Sequence, residues 1–459
     1  MELDHIKRVY LIGIGGIGMS GLARYFVERG CIVCGYDKTE TALTDDLRNE
    51  GIHIICDDQV DNIPLSFQEP DSGTLIIYTP AIPKDSVIFH HFKHKHFKLK
   101  KRAEVVGIIS KSMFTIAVAG THGKTTTSCI IAHILKDSGH DCSAFLGGIA
   151  SNYNTNILFG KNNVLVVEAD EYDRSFLTLH PDIAIVTSMD ADHLDIYGDE
   201  NHLTESFKLF ASQLKPGGKL IQHQGLLLDH GISYAANETA DIKALNIQVK
   251  DGKFSFDFKN NAHSIENIQF ALPGLHNIEN TLAAIEVALL LGIPTNKIKQ
   301  ALASFKGVKR RFEYIVQTDK HIYIDDYAHH PEELKACIEA IKRLYPNKKL
   351  TAIFQPHLFT RTRDFADEFV KALNRIDELI LLDIYPAREL PIEGINSEML
   401  LKKIDLTRKY KCEKKEAVKF VQEQQPELLL TVGAGDIDTL INPLKNALIN
   451  PLKNVLKHV

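Results

Sequence analysis

The chain has 459 residues, 44% hydrophobic and 24% charged, a balance ordinary for a globular protein and unlike that of a disordered or fibrous one. Its formal charge of -6 offers no broad basic face to nucleic acid, and no run reaches the roughly 18 apolar residues of a membrane span. The length suits about three domains of roughly 150 residues each, and MELDHIKRVYLIGIGG lacks the charged leader and cleavage site of an exported chain, so the expectation is a cytoplasmic protein with no nucleic-acid partner and no membrane insertion.

Short runs rich in Val and Ile, beginning with VYLIGIG and CIVCGYD, suit strands buried on both faces, with helical patterns such as GMSGLARYFVER between them. That order predicts an α/β chain of parallel sheets covered by helices. The first strand opens onto Gly13-Ile14-Gly15-Gly16-Ile17-Gly18 and the second ends at Asp37, which together make the dinucleotide fingerprint. Its physical content is a pyrophosphate on a helix N-terminus with a sugar hydroxyl beside an acid, so NAD, FAD and a nucleotide sugar all answer to it. Cys31 and Cys34 fall in the second strand, where alternation sets them on opposite faces; the seven cysteines, an odd number without framework spacing, read as reduced, buried thiols. HHFKHKHFK at 90–98 reads as a solvated, mildly basic surface.

A first domain ends near residue 108, after which the strand FTIAVAG runs into Gly120-Thr121-His122-Gly123-Lys124-Thr125 and a helix. Backbone N–H groups of such a turn, with the helix N-terminus, are aligned donors for phosphate oxygens. Lys124 suits the β and γ phosphates and the Thr125 hydroxyl suits Mg²⁺, so ATP is the expected ligand. The standard loop would place glycine at 118, where Val118 stands. Two later strands end in Glu168, Asp170, Glu171 and Asp173, and in Asp190, Asp192, His193 and Asp195. Carboxyl ends of parallel strands line the ligand crevice, which makes both clusters candidates for the metal. Residues 219–272 read as less regular strand and loop, a meander attached to the central domain, which ends near Phe312, after Lys309-Arg310-Arg311. Strand and helix order resumes at HIYIDDYAHHPEELKACIEAIKRL and continues through LTAIFQPH, LILLDIYPA and LLLTVGAG. The closing echo, NPLKNALI then NPLKNVL, reads as a surface helical tail, each proline starting a short helix.

In order along the chain, GIGGIGMSGLA at 13–23, GTHGKTTT at 120–127, EADEYDRSFL at 168–177, DADHLDIYG at 190–198, PGLHNIEN at 273–280, GVKRRFE at 307–313, DDYAHHP at 325–331 and FQPHLFTRTRD at 354–364 resemble the Mur ligases. The resemblance covers nearly the whole chain. It implies a Rossmann-like UDP-sugar domain at 1–108, a central P-loop ATP domain at 109–312 and a C-terminal Rossmann-like amino-acid domain at 313–459. It also implies an ATP-dependent amide ligase of peptidoglycan precursor synthesis, joining L-alanine to the lactyl carboxylate of UDP-N-acetylmuramate, as a monomer or weak homodimer. ATP would lie on Gly120, Thr121, His122, Gly123, Lys124, Thr125 and Thr126, with contacts from His276, Asn277 and Arg311. Mg²⁺ would be held by Thr125, Glu168 and His193. The UDP-sugar phosphates would sit on Gly15, Gly16, Ile17 and Gly18, with Asp37 and Arg102 nearby, while Tyr327, His329 and Arg361 would serve the amino acid and the reacting carboxylate.

A carboxylate is a poor electrophile and must first be phosphorylated; an amine then attacks the acyl phosphate. Lys124, Mg²⁺ and an arginine would disperse charge on the transferring phosphoryl group. His329 would orient or deprotonate the incoming ammonium, and Arg361 would face the tetrahedral intermediate. Three places depart from the family pattern: Leu358 replaces a common arginine, leaving its contacts to Arg361 or Arg363, EADEYDRSFL stands for EADESDASFL, and DIYPARELP stands for DVYAAGE. A ligase that adds a whole peptide to UDP-N-acetylmuramate during wall recycling shares several of these motifs, but GIGGIGMSG and FQPHLFTRTRD favour the single amino acid. A nicotinamide-dependent dehydrogenase would use GIGGIG and leave the second phosphate loop without a task.

Overall fold

The computed structural model describes residues 3–80, 82–83, 85–190, 200–228, 230–236, 239–250, 253–387 and 389–449. The chain is α/β with three sheet-bearing domains. It divides into two compact units, one of Met1–Ile247, Phe256–Gln269 and Glu279–Lys306, the other of Gln248–Ser255, Phe270–Ile278 and Gly307–Val459. Among the described residues no helix is long and apolar enough to cross a membrane.

The first sheet holds β1 (Arg8–Ile12), β2 (Ile32–Tyr36), β3 (His53–Ile55), β4 (Thr74–Tyr78) and β5 (Lys98–Lys101), in the parallel order β3-β2-β1-β4-β5. Along β1, Val9 and Leu11 enter one core and Tyr10 and Ile12 the other, which is why the run is apolar throughout. Four helices belong here: α1 (Ile17–Glu28), α2 (Ala42–Asn49), α3 (Val87–His94) and α4 (Arg102–Lys111). The strand order reverses at β1, so the glycine turn after it faces the crevice where such sheets bind ligands. Cys31 precedes β2 rather than lying in it, and its thiol meets the Ile6 carbonyl at 3.3 Å. All seven cysteines are free; Cys34, Cys129, Cys142 and Cys337 are buried, while Cys31, Cys56 and Cys412 are partly exposed.

The second sheet runs β15-β14-β13-β12-β11-β10-β6-β9-β7-β8. Its strands are β6 (Phe114–Ala119), β7 (Ser143–Ala150), β8 (Thr155–Leu158), β9 (Val164–Glu168), β10 (Ile183–Val186), β11 (Lys219–His223), β12 (Ile232–Ala235), β13 (Ile242–Lys250), β14 (Lys253–Lys259) and β15 (Ser264–Phe270). With it come α5 (Lys124–Asp137), α6 (Glu200–Ser212), α7 (Leu275–Leu290) and α8 (Thr295–Ser304). Residues 219–272 are more regular than expected, supplying five strands, but they do attach to the central domain, extending its sheet. The alternation that specifies them is short: in KFSFDFK, Phe254, Phe256 and Phe258 are buried and the residues between are not. The first two sheets share one core, in which Leu22 and Phe26 of α1 and Val105 and Ile109 of α4 join Ala117, Leu165 and Phe176.

In the third sheet, β16 (Glu313–Gln317), β17 (Ile322–Asp326), β18 (Leu350–Phe354), β19 (Glu378–Leu381), β20 (Lys409–Lys411) and β21 (Leu428–Val432) take the order β16-β17-β21-β18-β19-β20. β16 is antiparallel to β17, and the strands from β17 to β20 run parallel. Its helices are α9 (Pro331–Leu344), α10 (Phe359–Asp364), α11 (Ala366–Leu373), α12 (Ser397–Lys403), α13 (Lys414–Gln424) and α14 (Ile441–Ile449). α9 begins with Pro331 and two glutamates and ends with Lys342 and Arg343, a charge order that suits the helix dipole. The first copy of the closing echo is α14, and it is a core element rather than a surface tail: Leu444, Ala447 and Leu448, at helical spacing, pack with Val316, Tyr323 and Val421. The second copy lies outside the described residues.

Candidate active site

β6 is flanked by β9 and β10, both parallel to it, with Val118 opposite Glu168 and Ala119 opposite Val186. Three carboxyl strand ends thereby bring residues 120–125, 168–171 and 187–190 into one crevice. The loop turns on Gly120 (φ +132°) and Gly123 (φ +84°), and Gly123 caps α5 in the left-handed region that glycine occupies at no steric cost. Lys124 Nζ donates to the Gly120 carbonyl at 2.6 Å, the Thr121 carbonyl at 3.3 Å and Glu171 Oε1 at 2.9 Å. Thr125 and Thr126 are buried in the first turn of the helix.

The segment after β10 clamps the loop from the other side. The Thr187 hydroxyl donates to the Ala119 carbonyl at 3.1 Å and also reaches the His122 carbonyl. His122 N donates to Ser188 Oγ at 2.8 Å, Asp190 N to Thr121 Oγ1 at 3.1 Å, and His122 Nε2 lies 3.7 Å from Asp190 Oδ2. His193, with Asp192 and Asp195, lies outside the described residues.

The acidic strand end divides its carboxylates among different partners. Glu168 Oε2 accepts Gly147 N at 3.1 Å, Asp170 Oδ2 pairs with Arg102 Nη2 at 3.2 Å, and Glu171 pairs with Lys124. Burial pushes Glu171 up to about 7, against the pull of Lys124. Burial acts to lower the pKa of Lys124, but the carboxylates of Glu171, Asp170 and Glu168 outweigh it and hold the ammonium above its ordinary value. Glu168 and Asp170 also line a cavity of about 110 Å³, together with Gly18 and Arg102.

At the first glycine turn, Asp37 accepts Gly15 N at 2.8 Å through one oxygen and Thr39 N at 3.0 Å through the other. Gly16 caps α1, and Ile17 and Gly18 form its first turn. Arg102 lies directly on Gly18, where a Cβ would come within 2.4 Å of its Nη1. The residues expected on the UDP-sugar phosphates are thus assembled at the switch point of the first sheet.

In the second unit, Tyr327, His329, His357 and Arg361 follow the carboxyl ends of β17 and β18. The guanidinium carbons of Arg310 and Arg311 each sit 5.2 Å from the Tyr327 ring centroid, cations against an aromatic face. His329 Nδ1 is 3.0 Å from the Tyr327 carbonyl and 3.3 Å from Glu333 Oε2. Arg361 Nη1 is 3.3 Å from His357 Nδ1, and the His357 ring stands 5.8 Å from that of His329 and stacks on Tyr385. Burial pushes Asp325 and Asp326 each up to about 6; Arg310 pairs with the first, while Phe312 N and Ala328 N donate to the second. Of the two arginines left to replace the one lost at Leu358, Arg361 is buried beside His357 and Arg363 is exposed on Asp364. Leu358 itself is buried at φ +70°. His276 and Asn277 open α7 in this unit, with Asn277 Nδ2 donating to the Pro273 carbonyl at 2.6 Å.

Family models match three successive stretches: the Mur ligase family catalytic domain over residues 8–113, the Mur ligase middle domain over 118–288 and the Mur ligase glutamate ligase domain over 310–435. The chain belongs to the Mur ligase family. Among Mur ligases, the UDP-N-acetylmuramate–L-alanine ligase of Flavobacterium psychrophilum is 51% identical over 98% of this chain and 99% of its own length. The crystal structure of the UDP-N-acetylmuramate–alanine ligase of Thermotoga maritima matches with a TM-score of 0.80 at 26% identity, over 95% of this chain and 98% of that one. A murein peptide ligase of Psychrobacter arcticus shares the fold, with a TM-score of 0.71 at 21% identity over 97% of this chain and 99% of that one. Family membership does not favour a nicotinamide-dependent dehydrogenase for the GIGGIG turn.

Three features of this Mur ligase were not singled out from sequence: the pairing of Glu171 with Lys124, the Thr187 and Ser188 clamp, and His357 with Tyr385 beside Arg361. The clamp had a signal, since polar residues interrupt the chain abruptly at the end of the apolar strand before Thr187, whereas the choice of Glu171 among its neighbouring acids had none. The third joins residues of separate strand ends, and no local spacing carries it.

Proposed function

We propose that this Mur ligase joins L-alanine to the lactyl carboxylate of UDP-N-acetylmuramate, with ATP converted to ADP and phosphate through an acyl phosphate. The observation that carries the reading is the cavity lined by Gly18, Arg102, Glu168 and Asp170, which joins the first glycine turn to the strand ends flanking the phosphate loop. Relatives named for this activity support the choice of substrates. In this reading the domains divide at 108 and 312, the protein works in the cytoplasm, where ATP and UDP-sugars are made, and it acts as a monomer or weak homodimer.

The Gly15 to Gly18 turn and Arg102 bind the UDP-sugar phosphates, with Asp37 fixing the turn through Gly15 N. ATP lies on the loop from Gly120 to Thr126, where Lys124 disperses charge on the phosphoryl group as it moves to the carboxylate; His276, Asn277 and Arg311 add nucleotide contacts. Thr125 and Glu168 offer the hard oxygen donors that Mg²⁺ takes, and with His193 they would hold the ion, which would supply positive charge to offset that of the nucleotide phosphates. Tyr327 and His329 receive the amino acid. With Nδ1 turned to the Tyr327 carbonyl and Glu333, Nε2 is the basic nitrogen that orients the ammonium and accepts its proton. Arg361, steadied by His357, faces the charge of the tetrahedral intermediate.

The test is phosphate release from ATP and Mg²⁺ with UDP-N-acetylmuramate and either L-alanine or the wall tripeptide. L-Alanine is expected to support turnover; turnover with the tripeptide alone would assign the protein to peptide recycling. Glycine should react about 10–200-fold less efficiently, the range one methylene commands in an apolar pocket. Gly18→Ala should displace Arg102 and raise KM for UDP-N-acetylmuramate by about 10-fold to 100-fold, with KM for ATP unchanged.

A further inference from the structure

We infer that Glu171 is a positioning residue for ATP, holding the Lys124 ammonium in the phosphate loop, while its neighbour Asp170 does the same for Arg102 at the UDP-sugar turn. The inference rests on the reading of the loop as an ATP site. An ammonium has three N–H groups, and around Lys124 they meet three acceptors: the Gly120 and Thr121 carbonyls and the Glu171 carboxylate. The two carbonyls are fixed by the turn itself. The carboxylate is the charged member of the set, and it sits within 2.7 Å of Nζ with 2% of its side chain exposed. A lysine buried this deeply keeps its charge and its direction through its counter-ion, because neutral acceptors do not offset the loss of water around an ammonium.

Glu171 is itself held for this task. It closes the short loop after β9, which is parallel to β6 and in register with it, so the carboxylate and the lysine approach from neighbouring strand ends. The residue before it points to a different partner: Asp170 Oδ2 lies 3.2 Å from Arg102 Nη2, and Arg102 rests on Gly18. Two adjacent acids therefore serve the cations of two different phosphate sites. Loss of one charge should disturb one substrate and spare the other, a pattern that general loosening of the loop would not produce.

The experiment compares wild type, Glu171→Gln, Glu171→Asp and Asp170→Asn. It measures thermal stability, the affinity for ATP with Mg²⁺ by calorimetry, and KM for ATP and for UDP-N-acetylmuramate with kcat. Glu171→Gln should weaken ATP binding and raise KM for ATP by about tenfold or more, lower kcat, and leave KM for UDP-N-acetylmuramate within about twofold. Glu171→Asp should recover part of the loss because it restores the charge, and Asp170→Asn should raise KM for UDP-N-acetylmuramate instead. ATP binding by Glu171→Gln as tight as or tighter than wild type would overturn the inference, as would equal effects on both KM values. If Glu171→Gln does not fold, Glu171→Asp decides: an ATP affinity reduced less than that for Asp170→Asn overturns it. Wild-type protein that binds no ATP would overturn the ATP reading itself, which separates that failure from this one.

Discussion

Lys124→Met will lower kcat by about 10³-fold or more while the protein remains folded. Methionine keeps the length and apolar stem of the side chain and deletes the ammonium, so what is lost is the charge aimed at the transferring phosphoryl group. The loop backbone, the α5 N-terminus and the Thr187 and Ser188 clamp all remain, and ATP should still bind, although more weakly. Steady-state phosphate release with all three substrates gives the first number, and calorimetric titration with ATP and Mg²⁺ gives the second. Unchanged turnover would remove Lys124 from the phosphoryl-transfer chemistry. The same variant leaves Glu171 buried without its counter-ion. In the wild type Glu171 already stands at about 7, above its ordinary 4.5, so the unfolded chain holds fewer protons on this group between those values. Its contribution to stability is thus complete below about 4.5 and fades as pH rises through about 7; without Lys124 the folded value goes higher still. Thermal unfolding at pH 6 and pH 8 should therefore show a larger deficit for Lys124→Met at pH 8. An equal deficit at both would contradict the electrostatic account.

The α/β class and the two phosphate turns were legible because each is written in contiguous residues: an apolar run, a glycine turn, then helix-forming sequence. The same holds for Asp37, whose distance from the turn is set by the length of one helix and one strand. Glu171 is different. EADEYD offers four acids in one stretch, and which of them meets Lys124, which meets Arg102 and which faces Gly147 depends on the register between β6 and β9. Register across a sheet leaves no local trace in sequence. The regularity of the five strands from 219 to 272 was less legible for a related reason, since their alternation is short and shows its meaning only when Phe254, Phe256 and Phe258 share a buried face. The first NPLKNALI copy reads as a surface tail because its proline, one lysine and two asparagines make up half of its eight residues, whereas Leu444, Ala447 and Leu448 decide its position.

Gly120→Ala should be the most disruptive single-methyl change in the ATP site. An added Cβ would lie 2.1 Å from Thr187 Oγ1, 2.8 Å from Ser188 N and 3.0 Å from Thr187 N. Two of these are backbone atoms of the segment that clamps the loop, and they cannot rotate out of the way. The φ of +132° adds strain of about 1–3 kcal/mol for any side chain, and the overpacking adds about 1–3 kcal/mol more. If the methyl displaces the clamp, Ser188 withdraws from His122 N and Thr187 from the Ala119 and His122 carbonyls, so the loop loses its shape as well as its stability. A displacement near 1 Å at a phosphate site is worth about 10²-fold in rate. Gly139→Ala is the matched control: it also carries a positive φ, +80°, but its Cβ would enter open space just beyond α5. It should cost stability through backbone strain alone and leave kcat and KM for ATP at wild-type values. Should Gly120→Ala and Gly139→Ala prove equally active, contact between the loop and the strand end after β10 is not what shapes the ATP site.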